Sequence, residues 1–453
     1  MRLLIDTTAI NVNAQPLTGI PRVVHNYLKF GYAFGAAQGI EVLPVCIVDG
    51  ALVLQRSSAL FPHPPGLAPT ARRTTLRARL LHAAFLVALV LAHVPYGLAW
   101  IVLFAVPPAG EGSRKYRATR GLSEALHLFK APARYFQARY MKQAPVDPRP
   151  DDIFFAPAYW HDVDPAVLGA LTAGMQASFV LVHDIIPVMQ PEYYHTPWRD
   201  TFRENVGAAL TGFSGVLVIS NYTADCIRRH YPAQSARAII SVARNGLEPL
   251  RGDGPVRDTL SRLFTEGPAP FLMVGTIEPK KGHLEVLQVL RTLREAGQPG
   301  RRLVVLGRKG WMYDEIVAAL RQAGRQVVWL EDASDSELAF AYRHAHLMIQ
   351  ASRDEGFGLP MVEAATMGCP VAARRSQIAQ EVLGGCGLYF DSAEELRAIL
   401  LAMEDRQAHE DQRAAVRRFD WPMWQAVVPA VFQALVDHSR GHRRLPPVIE
   451  PRG

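Results

Sequence analysis

Apolar runs of strand length alternate along the chain with longer segments whose apolar residues recur at helical spacing. Phe179–His183, Gly215–Ser220, Phe271–Gly275, Arg302–Gly307 and Gln326–Leu330 are such runs, and the chain opens on another, Arg2–Asp6. Their alternation with amphipathic segments predicts βαβ units and parallel sheets. The pattern runs to about residue 243 and restarts at Phe271, with the loop-like Arg251-Gly-Asp-Gly-Pro255 between. The expected architecture is therefore α/β, with a Rossmann-like domain over residues 1–243 and a second over 255–420.

One segment departs from this alternation. Leu80–Val106 contains no Asp, Glu, Lys or Arg, while Arg72, Arg73, Arg77 and Arg79 precede it and Arg114, Lys115, Arg117 and Arg120 follow. Its length allows one membrane crossing. Pro95-Tyr96-Gly97, however, interrupts it, leaving a piece of 14 residues (Leu81–Val94) and one of 9 (Leu98–Val106), each short for a span. A single crossing would also part the first strand from its own sheet. The expectation is an apolar hairpin insert over about residues 70–120 that dips into one leaflet of an anionic membrane. The basic flanks would hold it there with roughly 1 kcal/mol per well-placed cation. A hairpin buried inside the protein is the alternative, and it stays open.

Composition narrows the class without choosing the chemistry. Of 453 residues, 49% are hydrophobic and 20% charged, which suits globular domains and excludes a disordered chain. The net charge of +7 fits phosphate-bearing substrates, anionic membranes or nucleic acid. The basic residues are scattered and carry no nucleic-acid motif, so no nucleic-acid partner is expected. Cys46, Cys226, Cys369 and Cys386 have neither CxxC nor zinc spacing and read as free thiols. With a strand-like run in place of a leader at the start, the expected compartment is the cytosol.

The most informative block is Ala351-Ser-Arg-Asp-Glu-Gly-Phe-Gly-Leu-Pro-Met-Val-Glu363. An apolar run, Ala345–Ile349, precedes it, Pro360 suits a helix start, and Gly368 suits the stop. The segment reads strand, glycine loop, helix, and a helix start offers unpaired amides to phosphate. Glu355 in the loop could accept hydrogen bonds from sugar hydroxyls, and Glu363 inside the helix could grip a ribose. A plain connection with two solvated acids is the bland alternative.

This block resembles the E-x7-E motif of retaining GT-B glycosyltransferases of family GT4 (glycosyl transferases group 1), with Glu355 and Glu363 at its two acids. Further stretches are similar in the same order. Val274-Gly-Thr-Ile-Glu-Pro-Lys-Lys-Gly-His283 resembles the family's VGT-x-EPRKG segment, with Lys280 standing where arginine is usual. Leu17-Thr-Gly-Ile-Pro-Arg22 resembles its TGI-x-R loop, and Val182-His-Asp-Ile-Ile-Pro187 its HDLIP segment. Val218–Asp225, Arg244-Asn245-Gly246, Val328-Trp329-Leu330 and Arg418-Phe-Asp-Trp421 resemble later ones. Only about residues 50–150 fall outside the resemblance.

The resemblance implies two Rossmann-like domains facing a cleft, closed by a helix over 421–440 that returns to the first. It implies that Glu355, His183 and Lys281 serve catalysis. It gives donor binding to Gly19, Lys280, Lys281, Phe357, Gly358, Leu359, Glu363 and Leu330, the last in the base pocket. It implies no metal and no cofactor beyond a nucleotide-sugar donor, GDP-mannose favoured over a UDP-hexose. The acceptor implied is a polysaccharide or lipid-linked oligosaccharide, reached from the cytoplasmic side of an anionic membrane surface. Two rivals remain. A sugar-nucleotide epimerase would lack the E-x7-E and EPKKG pairing, and a silent GT-B scaffold would have lost Glu355 or the lysines; all are present.

Overall fold

The computed structural model describes residues 1–8, 19–48, 50–55, 145–158, 160–194, 196–248, 250, 252–298 and 300–441. The strands run in chain order β1 (Arg2–Asp6), β2 (Glu41–Val48), β3 (Ala51–Leu54), β4 (Asp152–Ala156), β5 (Ala177–Val182), β6 (Gly215–Val218) and β7 (Ile240–Val242). They continue as β8 (Phe271–Val274), β9 (Leu303–Leu306), β10 (Val327–Leu330), β11 (Leu347–Gln350), β12 (Val371–Arg374) and β13 (Leu388–Phe390). Two compact units divide the chain: Met1–Leu43 with Pro148–Gly453, and Pro44–Asp147. In the latter, β3 runs antiparallel to β2, with Val45 opposite Leu54 and Val48 opposite Ala51. The expected apolar hairpin, about 70–120, lies outside the described residues. Among those described, no helix is long and apolar enough to cross a membrane.

The larger unit holds two parallel sheets. In the N-terminal one, β1, β4, β5, β6 and β7 are successive parallel neighbours. Leu3, Leu4 and Ile5 of β1 and Ile153, Phe154 and Phe155 of β4 are wholly buried. Such unbroken burial is what a parallel sheet covered on both faces requires, and it explains why these strands read as apolar runs. In the C-terminal sheet the order is β10, β9, β8, β11, β12, β13. The chain builds outward from β8 in one direction, then returns and builds from β11 in the other. That reversal opens a crevice beyond the carboxyl ends of β8 and β11, where doubly wound sheets bind ligands.

The helix Trp424–Ser439 packs on the N-terminal sheet's side of the unit. Its Phe432 stacks on Tyr27 at 5.8 Å and meets Phe34 and Phe155 edge-on at 5.8 and 6.1 Å. The strap leading into it is hydrogen-bonded to the Asn245-Gly246 turn. Trp421 Nε1 donates to Asn245 O (2.8 Å), the Leu247 amide to Pro422 O (2.9 Å) and the Trp424 amide to Leu247 O (3.1 Å).

Gly246 is required at this crossing, because an added Cβ would lie 2.5 Å from the Trp424 amide nitrogen, a backbone atom with no room to retreat. Gly246→Ala is therefore expected to cost roughly 1–3 kcal/mol. Urea unfolding would read this as a lower midpoint at unchanged slope. An unmoved midpoint would show that the strap tolerates a Cβ and is not a close-packed joint.

Candidate active site

β8 delivers one side of the crevice. After it come Gly275, then Lys280 and Lys281 in the short turn Pro279–Lys281, then the helix His283–Glu295. Gly282 between turn and helix has φ 72°, and a Cβ there would lie 2.4 Å from Ala351 O. Glycine thus lets the β8 and β11 loops touch. The Arg353 amide then donates to Lys280 O (2.8 Å). The contact brings together the two loops that carry the predicted lysines and Glu355.

Lys281 Nζ forms an ion pair with Glu355, both side chains largely buried. Gln350 Nε2 adds a hydrogen bond to Glu355 Oε1 at 3.0 Å. Burial raises the Glu355 pKa, but Lys281 and Lys280 outweigh it and hold the carboxyl below its ordinary range. A buried carboxylate with a cation and an amide donor stays ionised and in one place. Lys280 is itself buried, 8% exposed, with Nζ 5.7 Å from the Trp311 ring centroid. Burial works against its charge, yet Glu355, Asp184, Tyr194 and Glu278 reverse that and raise its pKa, so the ammonium is retained. Glu278 lacks such support: Lys280 Nζ is 4.0 Å away and Oε2 has no hydrogen-bond partner among the described residues. Burial pushes its pKa up to about 7 against the pull of both lysines.

β11 and its glycine loop deliver the other side. Gly358, at φ 84°, caps the helix Leu359–Thr366, whose first turn has no side-chain cap and no acid. Pro360 has no N–H and the Met361 amide donates to Gly358 O (2.9 Å), so of this first turn the Leu359 amide is left for an anion. Glu363, one turn in, is buried; Tyr342 donates to its Oε2 (3.1 Å) and Arg22 to its Oε1 (2.9 Å). Burial raises its pKa, with Arg22 and Tyr342 opposing. Arg22 lies three residues beyond Gly19, so this pair brings the Gly19 loop to the second acid of the motif. Gly19 has φ 59°, and a Cβ there would meet no atom of the described residues within 4 Å. The Phe357 side chain turns inward against Trp421, ring centroids 5.4 Å apart, which leaves only its backbone to the loop. Leu330 ends β10, two strands out from β8, and Leu359 is half-buried at the helix start.

The N-terminal domain closes the site from β5. His183 Nε2 donates to Pro157 O at 2.7 Å, which puts the proton on Nε2. Burial lowers its pKa, so the ring is neutral. Asp184 Oδ1 accepts from the Ile186 amide at 3.0 Å. Gly356 sits against this turn, and a Cβ on it would lie 2.4 Å from His183 O. Ser220 Oγ donates to Gly356 O (3.0 Å) while accepting from the Thr223 amide (3.0 Å) as a helix cap. Asp354 accepts from Tyr222 Oη (3.0 Å) and Gln190 Nε2 (3.2 Å), and burial lifts its pKa to about 6. Motifs that lie about 170 residues apart therefore meet through backbone.

Arg22, Glu278 and Asp354 stand inside the sequence motifs without an assigned place in the site, and Tyr342, Tyr194 and Trp311 stand outside them. Ionisable residues inside otherwise apolar motifs were the available signal for the first three. For the last three, only the folded chain identifies the partners.

The family described as Glycosyl transferases group 1 matches residues 261–419. The serotype-specific mannosyltransferase WbdA of Escherichia coli is 29% identical over 309 residues, 64% of this chain and 38% of the relative. The O-antigen chain mannosyltransferase B of Escherichia coli is 25% identical over 222 residues, 48% of this chain and 58% of the relative. The chain thus spans just over a third of the length of WbdA. Among solved structures, the sucrose-phosphate synthase of Thermosynechococcus elongatus superposes with TM-score 0.57 at 17% identity over 95% of this chain and 97% of the other. The Escherichia coli trehalose-6-phosphate protein bound with UDP-2-fluoro glucose gives 0.54 at 14% identity over the whole of both chains. At such identity these likenesses show the fold alone, and it is GT-B.

The buried acids make a pH-dependent prediction. Asp6 ends β1 at 1% exposure; Oδ1 accepts from the Thr8 amide at 2.9 Å and Oδ2 has no hydrogen-bond partner among the described residues. Burial pushes its pKa up to about 6. The folded state then holds the proton more tightly than the unfolded chain. Its contribution to stability is full below the unfolded value near 4 and lost as pH rises through about 6. Relative to Asp6→Asn, the parent should lose roughly 2–3 kcal/mol between about pH 4 and pH 7. Paired urea titrations measure this, and a flat difference across the window would refute it.

Proposed function

Residues 261–419 are a glycosyl transferases group 1 domain on a GT-B fold, and on that premise we propose that the chain is a retaining hexosyltransferase that moves mannose from GDP-mannose to a polysaccharide or lipid-linked oligosaccharide. The observation that carries the reading is the convergence of Lys280, Lys281 and Glu355 beside the uncapped start of the helix Leu359–Thr366. The mannosyltransferase relatives support mannose as the sugar and a glycan as the acceptor.

In this reading Glu363 takes the ribose hydroxyls, a role suited to a buried carboxylate already held by Tyr342 and Arg22. The two lysines, the Leu359 amide at the helix start and the Gly19 backbone take the diphosphate. Glu355 accepts from the sugar hydroxyls. As the bond from the anomeric carbon to the diphosphate oxygen breaks, negative charge grows on the leaving phosphate, where fixed cations and amides stabilise it most. The acceptor oxygen attacks from the same face, the new glycosidic bond forms, and the hydroxyl proton passes to the leaving phosphate. Two features support a path without a protein base: Glu355 is held below its usual range by two ammonium groups, and His183 is tied to Pro157 O. His183 instead offers a fixed, neutral wall to the sugar. An acceptor carried on a lipid at the cytoplasmic membrane surface completes the proposal. Its support is the arginine-flanked apolar segment Leu80–Val106, which lies outside the described residues.

Calorimetry with GDP, UDP, GDP-mannose and UDP-glucose tests the donor. GDP and GDP-mannose are expected to bind, and Lys281→Ala to weaken them by roughly 2–4 kcal/mol, as for removal of a preorganised charge partner. Glu355→Gln is expected to lower transfer by about 10²–10³-fold. A preference for UDP would replace the donor. Binding of none of the four would favour a silent scaffold instead.

A further inference from the structure

From the glycosyltransferase reading above, and for the side of the site it leaves unassigned, we infer that the ring series Trp311–Tyr194–Trp198, half-buried at Tyr194 and exposed at both tryptophans, is the track that binds the acceptor glycan as it approaches Lys280. Trp311 comes from the C-terminal domain, and Tyr194 and Trp198 come from the N-terminal one. Tyr194 lies 5.8 Å from Trp311 and 5.7 Å from Trp198, with planes inclined by 39° and 27°. Phe202 continues the series beyond Trp198 at 5.4 Å and 29°. Each step is close to the length of one hexose residue. Trp198 and Trp311 are 40% and 37% exposed, although tryptophan is ordinarily among the most buried residues.

The series is continuous with the site. Trp311 lies over Lys280 Nζ, and Tyr194 is within electrostatic reach of Lys280, Asp184, Glu278 and Glu355. Its inner end is also anchored. The Gly310 amide donates to Ile277 O (3.0 Å), and the Ile277 amide to Arg308 O (2.8 Å). A Cβ on Gly310 would come within 2.6 Å of Thr276 and 3.1 Å of Ile277 O, so the loop lies directly on the lysine turn. Met312, next in the chain, is 64% exposed and holds φ 50°, a left-handed backbone that a side chain adopts only under constraint. The outer end is fixed by Trp198 Nε1 donating to Asp162 Oδ1 at 3.3 Å.

The chemistry selects a saccharide. A pyranose offers an apolar C–H face to an aromatic ring and a rim of hydroxyls to the acids beside it, here Asp162 and Asp184. Those same carboxylates would repel an anionic membrane. Because the rings come from both domains, the track is complete only when the cleft is closed, and acceptor binding and closure then support each other.

The test uses the full chain and α-linked mannotetraose against methyl α-mannoside, with Trp198→Ala and Trp198→Tyr. The parent is expected to prefer the tetrasaccharide in kcat/KM by roughly tenfold, about the worth of one good aromatic contact. Trp198→Ala should abolish that preference, and Trp198→Tyr should keep most of it. A preference that survives Trp198→Ala, or a parent without one, overturns the track. Should no donor support transfer, the glycosyltransferase reading fails, but tryptophan fluorescence still reads the track directly. A saturable change with mannotetraose that Trp198→Ala removes supports it. No change, or a change with phosphatidylglycerol vesicles in place of the sugar, overturns it.

Discussion

The ion pair between Lys281 and Glu355 imposes the main constraint on this structure. A charge taken out of water must find a partner and further hydrogen bonds, or it will not stay charged. The pair therefore requires the loops after β8 and β11 to be neighbours, which the strand order provides, and to touch, which Gly282 permits. It also requires Gln350, the last residue of β11, to hold the carboxylate from below. With these in place, a cation and an acceptor stand at the mouth of the crevice before any ligand arrives. Preorganisation of this kind spares the reorganisation that a solvated pair would need.

Charge around the pair is unevenly held. Glu355 and Lys280 remain ionised because each lies in the field of the other. Glu278 and Asp354 are displaced upward by the same burial, to about 7 and about 6, because their partners are fewer or neutral. In the proposed reading, the donor's diphosphate meets two ammonium groups and acids that give up their charge readily. Its own negative charge would shift those acids further toward protonation.

Beside the Trp311–Tyr194 ring contact, polar bonds tie the two domains together across the cleft. Arg22 meets Glu363, Arg244 meets Glu381 at 3.1 Å, and Ser220 meets Gly356 O. Glu381 also accepts from the amides of Asn221 and Tyr222 at 2.9 and 3.0 Å. Such bonds exchange with water at modest cost, unlike the aromatic packing that joins Phe432 to Tyr27, Phe34 and Phe155. An apolar joint at the strap and polar ties at the cleft suit a molecule whose domains open on one side only.

The sequence by itself determined the strands and the chemistry they present. Runs such as Phe271–Gly275 and Arg302–Gly307 became β8 and β9 because strands buried on both faces tolerate little but apolar side chains. Glu355, Glu363, Lys280 and Lys281 were legible because local order, strand then glycine loop then helix, is written in neighbouring residues. Tertiary structure alone decided what those residues meet. Arg22 reaches Glu363 over 341 positions of chain, and Gly356 rests on the His183 carbonyl, where a Cβ would lie 2.4 Å away; nothing in the neighbouring sequence of either residue points to its partner. Trp311, Tyr194 and Trp198 read in sequence as ordinary aromatic residues. Only the apposition of two separately folded sheets sets them in line, because long-range pairing depends on the packing of whole domains and leaves no local periodicity.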